Sequence, residues 1–219
     1  RFNEHFSVGF GPTFNRIDGE LTSALDNPAP GVADGKVKIK GDDVAVGFNV
    51  GALYEFSPQT RVGVTYRSRV KYELEGNTQV SAGGVLAGLA GKYDASLDIT
   101  TPESVDMSFT HEIDDRWTVY AGSTWTRWSR LKEIRVENEN APGPLGAITE
   151  EQNWHDTWAH AVGLSYKVNP QWVLRTGLAF DQSPTNNTNR SPRIPSGDRT
   201  IFSLGAGWSP TDDMTIDVA

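Results

Sequence analysis

The sequence has no cysteine, which excludes disulfides and thiolate metal sites. It has no run of about 18 apolar residues, so no transmembrane helix is expected. The opening residues "RFNEHFSVGF" lack the basic start and apolar core of a secretory signal. With 28 acidic and 20 basic residues, the net charge of −8 gives no support for nucleic-acid binding. The mean hydropathy of −0.45 decides little, because the polar lumen and loops of a β-barrel dilute its lipid-facing band.

What the sequence does have is alternation with a period of two, which is the period of a β-strand. Between Arg61 and Glu75 the even positions are apolar almost without error: Val62, Val64, Tyr66, Val70, Tyr72 and Leu74. The same pattern predicts strands over 6–15, 43–56, 96–109, 117–132, 154–168, 172–181 and 200–208, and a ninth strand begins at "MTIDVA". His160 interrupts one apolar row, and "WTRWSR" blurs another, where we expect a β-bulge.

The connections between these segments alternate between short and long. Tight turns are expected near 57–60, 113–116, 169–171 and 209–213, and long connections at 18–41, 76–95, 133–153 and 182–199. Aromatic residues of the apolar rows fall into two groups, one beside the tight turns and one nearer the long connections. Both features are typical of bacterial outer-membrane barrels, with aromatic girdles at the two membrane interfaces.

The predicted fold is therefore all-β: an antiparallel up-and-down transmembrane β-barrel, with residues 1–219 forming one partial barrel domain. A β-structure in lipid must close, so about nine strands with free edges indicate a fragment. The alternative is a soluble β-sandwich binding module, whose charged face would lie in water.

Four segments also resemble the FadL family of outer-membrane transporters for long-chain fatty acids and other hydrophobic compounds. They begin at "GDDVAVGFNVGALYEF", "TPESVDMSFTHEIDDRW", "WHDTWAHAVGLSYKVNPQW" and "NRSPRIPSGDRTIFSLGAGW", and the loop "RSPRIPSGDR" is the most specific. The resemblance implies a barrel of about fourteen strands plugged by an N-terminal hatch, with the hatch, the first strands and the last strand absent here. It implies passive uptake of fatty acids, or of aromatic hydrocarbons as a rival cargo, with no cofactor and no metal. We expect a monomer in contact with outer-membrane lipid and lipopolysaccharide.

A fatty acid carboxylate needs a cation, since an unpaired charge in a dry site is costly. If the apolar rows face lipid, the alternate positions face the lumen, and the cations at such positions are Arg61, Arg67, Arg69, Lys71 and Arg175. Arg16 lies at the end of the first strand. We favour Arg16, Arg67 and Arg69 as carboxylate partners. The alternative is a set of structural ion pairs with Asp43, Glu55, Asp98, Asp106 and Asp181.

Two long connections carry further candidates. The Gly-rich stretch "SAGGVLAGLAGKYD" would expose Val85, Leu86 and Leu89, which could capture a lipid tail or pack on a neighbouring loop. The arginines of "RSPRIPSGDR" could contact lipopolysaccharide phosphates or brace other loops.

Catalysis has little support in the sequence. His155 and His160 would point to opposite faces of a strand and cannot share a metal. A lipolytic barrel would need a serine beside His160 on the lipid face, and Ser165 and Ser203 have the wrong parity. We therefore expect that the protein is not an enzyme.

Overall fold

The computed structural model describes residues 3–192 and 194–219, and nearly all of its regular structure is antiparallel β-strand. Three short 3-10 turns cover Gly84–Leu89, Trp128–Arg130 and Gly143–Leu145. The strands are β1 (Phe6–Leu25), β2 (Gly35–Ser57), β3 (Thr60–Arg67), β4 (Val70–Ser81), β5 (Gly91–Thr101), β6 (Ser104–Glu112), β7 (Trp117–Thr126), β8 (Glu133–Asn138), β9 (Ala147–Glu151), β10 (Thr157–Asn169), β11 (Trp172–Asp181), β12 (Arg199–Thr211) and β13 (Met214–Val218).

The sheet divides into two branches at β2. The half of β2 near its tight turn pairs with β3, and the ladder then continues through β6, β7, β10, β11, β12 and β13. The other half pairs with β4, and that ladder continues through β5, β8 and β9. Strand β1 pairs with β2 along the whole length of both branches. We call the first branch the wall sheet and the second branch, with residues 17–25 and 35–43, the upper sheet.

Three of the four long connections predicted from the sequence are therefore largely strand. Residues 18–41 form the ends of β1 and β2, residues 76–95 lie mostly in β4 and β5, and residues 133–153 contain β8 and β9. The prediction of loops was wrong there. These segments also alternate, but their apolar residues lie on the other face of the sheet, and this pattern was not recognised as strand. The predicted bulge at "WTRWSR" is also wrong, since β7 ends at Thr126 and a 3-10 turn follows.

The two faces of the sheet exchange character between the branches: the face that is apolar in the wall sheet is charged in the upper sheet. On one face, Phe10 and Phe14 of β1 are followed by Arg16, Asp18 and Glu20. The opposite face of the same strand changes from small and polar residues to Ile17, Leu21 and Leu25. Strand β2 shows the same exchange, because Val44, Val46, Phe48 and Val50 share a face with Asp42, Lys40, Lys38 and Lys36.

The segment 61–75 keeps its numerical alternation across this reversal because one residue is inserted. Between β2 and β3, Asn49 is the Cα partner of Arg67, and continuing that register would pair Asp42 with Leu74. Asp42 instead pairs with Glu75 of β4, so the register is shifted by one residue. The extra residue lies at the break between β3 and β4, where the buried Ser68 Oγ accepts a hydrogen bond from the Phe48 N–H at 2.8 Å. A shift of one residue turns every following side chain to the other face.

The upper sheet consequently has its own dry core on one face. Val70, Tyr72 and Leu74 are buried against Ile17 and Ala45, and Leu97 and Ile99 join them. Further clusters centre on Val37, Val80 and Leu145, and on Leu131, Ile134 and Trp154. Leu21 of β1 packs on the third cluster, which includes Ile134 of β8, so the upper sheet curls until its two ends approach.

In the described part of the chain, the wall sheet has no comparable buried core, and it exposes its apolar face. Phe10, Phe14, Val46, Val162, Phe202 and Leu204 are among its largely exposed apolar residues. Tyr66, Val105, Trp125 and Trp158 are consecutive cross-strand partners and form one aromatic-rich row near the upper sheet. Rings also pair near the tight turns, with centroids 4.3 Å apart for Trp117–Tyr166 and 5.8 Å apart for Trp172–Trp208.

These rows confirm two aromatic groups at different heights, with corrections to their membership. Trp117 and Trp125 are eight residues apart on β7, about 26 Å at 3.3 Å per residue, comparable with the apolar band of a membrane barrel. By their place in the alternating segments, Tyr72 and Trp154 would belong to the group nearer the long connections, but both are buried in the core of the upper sheet.

Candidate functional site

The cations proposed from the sequence do not form one cluster. Arg67 follows the predicted parity and lies on the polar face of the wall sheet, in one cross-strand row with Asn49 and Ser104. Arg61 lies on the same face, paired in register with Glu55 and Thr110. Arg69 is exposed at the break between β3 and β4.

Lys71 lies on the other face, and its predicted position in the lumen is wrong. The inserted residue at the β3–β4 break turns Val70, Tyr72 and Leu74 inward, so Lys71 points away from that core. Its ammonium group lies 2.7 Å from a Glu73 carboxylate oxygen and 3.5 Å from one of Asp98. These two carboxylates raise the pKa of Lys71, with the Glu73 hydrogen bond as the larger cause.

Arg16 and Arg175 are each held by a carboxylate. Arg16 shares a face with Phe14 rather than with the polar lumen residues, and its Nη2 lies 3.3 Å from Asp42 Oδ2. Arg175 is on the polar face of β11, with its Nη1 2.5 Å from Asp217 Oδ1. Arg16, Lys71 and Arg175 are therefore each ion-paired, but only the contact between Lys71 and Asp98 joins a cation to one of the carboxylates named in the ion-pair alternative. Within the residues that the structure describes, neither Arg67 nor Arg69 has such a partner.

The acidic residues expected to pair with lumen cations mostly have other partners. Asp98 does pair with Lys71, although on the outer face, whereas Asp181 pairs with Arg199, which was not among the predicted cations. Asp106 accepts a hydrogen bond from Thr124 Oγ1 at 2.8 Å, and Asp43 accepts one from the Glu73 N–H at 2.8 Å.

The three apolar residues of the Gly-rich connection have different surroundings. Leu89 packs on the cluster of Val37, Val80 and Leu145, whereas Val85 is 69% exposed in the 3-10 turn and Leu86 is half-buried. Asn27 fixes this loop to the neighbouring one, because its side-chain amide donates to the carbonyl oxygens of Ala33 and Gly83.

The loop "RSPRIPSGDR" acts partly as a brace. Asp198 Oδ1 accepts a hydrogen bond from the Ser183 N–H at 2.8 Å, and Ser196 joins the hydroxyl groups of Ser183 and Thr185. Arg199 pairs with Asp181, Arg190 is exposed, and Arg193 lies outside the described residues.

An apolar crevice lies in the core of the upper sheet. Its cavity has a volume of about 40 Å³ and is lined chiefly by Leu21, Ile39, Leu74, Leu97 and Val136, with Gly19 and Gly41. A Cβ added at Gly41 would lie 3.4 Å from the Leu74 Cβ and 3.2 Å from the Glu75 carbonyl oxygen, so glycine there keeps the strands close. No sequence pattern indicated this crevice directly, because Leu21 and Ile39 fell inside a predicted loop.

A charged cluster missed by the sequence reasoning lies at the boundary between the two branches. Glu103, which connects β5 to β6, is only 8% exposed, and its carboxylate binds Arg130 Nη2 at 2.6 Å, Arg130 Nε and Arg127 Nη1 at 3.2 Å. The Arg130 guanidinium holds the pKa of Glu103 at about 2, with backbone and Arg127 donors assisting and burial opposing the shift. "TPES" and "TRWSR" showed no charge pattern that would have joined these residues.

A serine does lie beside His160, although not one considered from the sequence. Ser123 Oγ and His160 Nδ1 are hydrogen-bonded at 2.9 Å on the apolar face of β7 and β10. Within residues 3–192 and 194–219, we find no carboxylate or amide bonded to the second ring nitrogen of His160 to complete a triad.

The comparison with known proteins gives the family. The sequence profile described as "Outer membrane protein transport protein (OMPP1/FadL/TodX)" matches residues 1–219. The chain belongs to this family. It is part of an outer-membrane β-barrel, and the soluble β-sandwich is not favoured.

Curated relatives agree with this assignment. A long-chain fatty acid transport protein of Escherichia coli O6:H1 is 27% identical over 98% of this chain and 50% of its own length. An outer membrane protein P1 of Haemophilus influenzae is 31% identical over 78% of this chain and 36% of its own. The chain thus spans about half the length, or less, of these relatives.

Solved structures share the fold. A Pseudomonas aeruginosa FadL homologue superposes with a TM-score of 0.89 at 27% identity, covering 99% of this chain and 55% of the other. The Ralstonia pickettii toluene transporter TbuX gives a TM-score of 0.74 at 18% identity, covering 99% and 58%, which supports the fold alone. In barrels of this class the long connections are extracellular, so the upper sheet lies outside the membrane.

Proposed function

We propose that the complete protein is a passive uptake channel for hydrophobic molecules, with long-chain fatty acids as the cargo. The observation that carries this proposal is the reversal of amphipathic sense between the branches. Below the boundary the inner face of the sheet is polar, and above it the inner face is apolar. An apolar molecule arriving from water would therefore find its first apolar surface on the inner side of the upper sheet.

The apolar crevice is the proposed seat for the cargo tail. Leu21, Ile39 and Leu97 line it, and the cluster of Leu131, Ile134 and Trp154 packs over Leu21 and Leu97. A cavity of about 40 Å³ holds only a few methylene groups, so a longer tail requires that this covering cluster moves. Val85 and Leu86, at the tip of the Gly-rich loop, would make the earlier contact with the cargo.

Arg67 and Arg69 are the proposed partners of the cargo carboxylate. Arg67 lies on the polar face of the wall sheet, where this sheet meets the apolar core of the upper sheet, and Arg69 lies two residues further on at the β3–β4 break. Neither has a carboxylate partner within the described part of the chain. Arg16, Lys71 and Arg175 are less suitable, because a bound carboxylate would have to compete with Asp42, Glu73 or Asp217.

Oleate binding to the full-length protein tests the assignment. We expect Arg67→Ala and Arg69→Ala to weaken oleate binding about tenfold to a hundredfold, the effect of losing a hydrogen bond to a charged group. Lys71→Ala, which removes a cation four residues from Arg67 on the outer face, is the matched control. Toluene binding should not change in any variant, because toluene has no carboxylate. Equal oleate affinity in all variants would discard the carboxylate assignment, and toluene uptake without oleate uptake would favour aromatic hydrocarbons as cargo.

A further inference from the structure

Three cations, Arg127, Arg130 and Lys132, lie directly above the aromatic-rich row that contains Trp125, on the membrane-facing side of the wall sheet. Trp125 belongs to that row, and Arg127, two residues further on, follows the end of β7 at Thr126 and continues its outward alternation. The ladder continues to this level, because the Arg127 N–H donates to the Glu103 carbonyl oxygen at 3.0 Å. Two residues span about 7 Å along a strand, so Arg127 is placed just outside the apolar band, where lipid headgroups lie.

These cations line a cavity whose walls all carry hydrogen-bond donors. The cavity has a volume of about 410 Å³, and its lining residues are Thr100, Arg127, Ser129, Arg130 and Lys132. Thr100 lies on the outer face of β5, since its neighbour Ile99 packs into the core of the upper sheet. The cavity therefore opens to the outside, away from the proposed cargo path.

Two carboxylates lie close to Arg127, Arg130 and Lys132, but they do not occupy all the hydrogen-bond donors of these cations. Glu103 binds Nη1 of Arg127 and both Nε and Nη2 of Arg130, which fixes the two guanidinium groups. Asp156 accepts a hydrogen bond from the Ser129 N–H at 3.0 Å. Among the described residues, Nη1 of Arg130, the remaining nitrogens of Arg127 and the Lys132 ammonium group have no hydrogen-bond partner. Three cations against two carboxylates leave a net positive charge.

We propose that Arg127, Arg130 and Lys132 bind a phosphate group of an outer-leaflet glycolipid, the lipid A part of lipopolysaccharide. Preoriented guanidinium groups match the geometry of phosphate oxygens, and an ammonium group adds a point charge. The acyl chains of such a lipid would descend along Trp125, Trp158 and Tyr66, which begin the apolar band below. This site does not depend on the cargo or on the proposed carboxylate partners.

Binding of purified lipid A to the full-length protein tests the proposal. The probes are bisphosphorylated lipid A, the same lipid with both phosphates removed, and inorganic phosphate, each measured by native mass spectrometry or by titration in detergent. The variants are Lys132→Gln alone and Arg127→Gln with Lys132→Gln, and Arg135→Gln is the control, because Arg135 is an exposed arginine of the upper sheet paired with Glu137. Arg130 stays unchanged, so the Glu103 pair that supports the local fold is kept.

We expect about tenfold weaker binding of bisphosphorylated lipid A for Lys132→Gln and a larger loss for the double variant, with no change for Arg135→Gln. The dephosphorylated lipid should bind the unmodified protein as weakly as the phosphorylated lipid binds the double variant. Equal binding of the two lipids, or unchanged binding by the double variant, would overturn the proposal. Inorganic phosphate that binds as tightly as the lipid would also overturn it, since the ligand would then be a soluble anion.

Discussion

Tyr66 and Tyr72 lie six residues apart on one alternating segment, yet their side chains are on opposite faces of the sheet. Tyr66 contacts Phe48 on the lipid-facing side, with ring centroids 5.9 Å apart. Tyr72 is 6% exposed and packs with Ile17 and Ala45 on the inner side. The residue inserted at the β3–β4 break separates them, and it allows one alternating sequence to serve a membrane wall below and a water-exposed sheet above.

Deleting Ser68 should remove this insertion and turn β4 over. Val70, Tyr72 and Leu74 would then face water, at a cost of about 1.5–3 kcal/mol for each side chain. We expect hydrogen exchange in the full-length protein to show lost protection over β4, β5 and β8, with the wall strands still protected. Deletion of Gly88 in the exposed 3-10 turn is the control and should leave β5 protected. Retained protection of β4 and β5 after the Ser68 deletion would show that register does not set the face.

Replacement of Glu103 by Gln should destabilise the boundary between the branches. The charge-assisted bonds to Arg130 and Arg127 would be weakened, and we expect a loss of about 2 kcal/mol at neutral pH. Urea unfolding of the full-length protein in detergent measures this loss. Equal stability of the two proteins at pH 7 would contradict the assigned role.

The same pair predicts how stability depends on pH. The pKa of Glu103 is lowered from 4.5 to about 2 in the folded protein, so its contribution is complete above about pH 4.5 and is lost as the pH falls towards 2. The stability difference between the unmodified protein and Glu103→Gln should therefore shrink across that window. A difference that is constant from pH 6 to pH 2 would mean that the carboxylate is not held ionised by Arg130.

The core of the upper sheet also contains a buried polar contact. Thr78 is fully buried, and its hydroxyl donates to Asn138 Oδ1 at 2.5 Å, while the Asn138 amide donates to the Leu145 carbonyl oxygen at 2.6 Å. Thr78→Val would leave Asn138 Oδ1 without a donor, and we expect a cost of about 1–3 kcal/mol. The exposed Thr149→Val on β9 is the control, and it should change stability by less than about 0.5 kcal/mol. Equal effects of the two substitutions in thermal unfolding would contradict this role.

A charge in the middle of the apolar face should be costly. Val162 is 59% exposed and lies midway between Trp158 and Tyr166 on β10. Val162→Arg should destabilise the full-length protein in lipid by about 2–4 kcal/mol, the cost of arginine near the bilayer midplane. Ala161→Arg, on the polar face of the same strand, is the matched comparison. A smaller cost for Val162→Arg than for Ala161→Arg would mean that the polar face of the wall sheet, and not its apolar face, contacts lipid.

The wall sheet could be read from the sequence, because each of its strands keeps one lipid-facing apolar row between tight turns. Asp114 and Asn169 indicate two of those turns in the sequence. Asp114 Oδ1 accepts hydrogen bonds from the N–H groups of Arg116 and Trp117, and Asn169 Oδ1 accepts them from Gln171 and Trp172. The upper sheet could not be read in this way. Its strands alternate as well, but Leu21, Ile39 and Leu97 occupy odd positions while charged residues occupy the even ones, and only cross-strand register shows that these odd positions face inward.

The candidate sites show the same limit. Parity placed Arg67 correctly and Lys71 incorrectly, because an insertion of one residue in a continuous alternating run leaves no mark in the pattern. The cluster of Glu103, Arg127 and Arg130 depends on contacts between residues 24 to 27 positions apart, at strand ends where alternation has stopped. Spacing along the chain carries no information about such contacts.

Accessibility of spin labels along β2 tests the reversal of the sheet most directly. Nitroxides would be placed one at a time at even positions from Lys36 to Phe56 in the full-length protein in bilayers, and exposed to oxygen and to a water-soluble nickel complex. We expect labels at Val46, Val50 and Tyr54 to favour oxygen, and labels at Lys36, Lys38 and Lys40 to favour the nickel complex, with the change near Asp42 and Val44. A row of even positions that favours one reagent along its whole length would contradict the account.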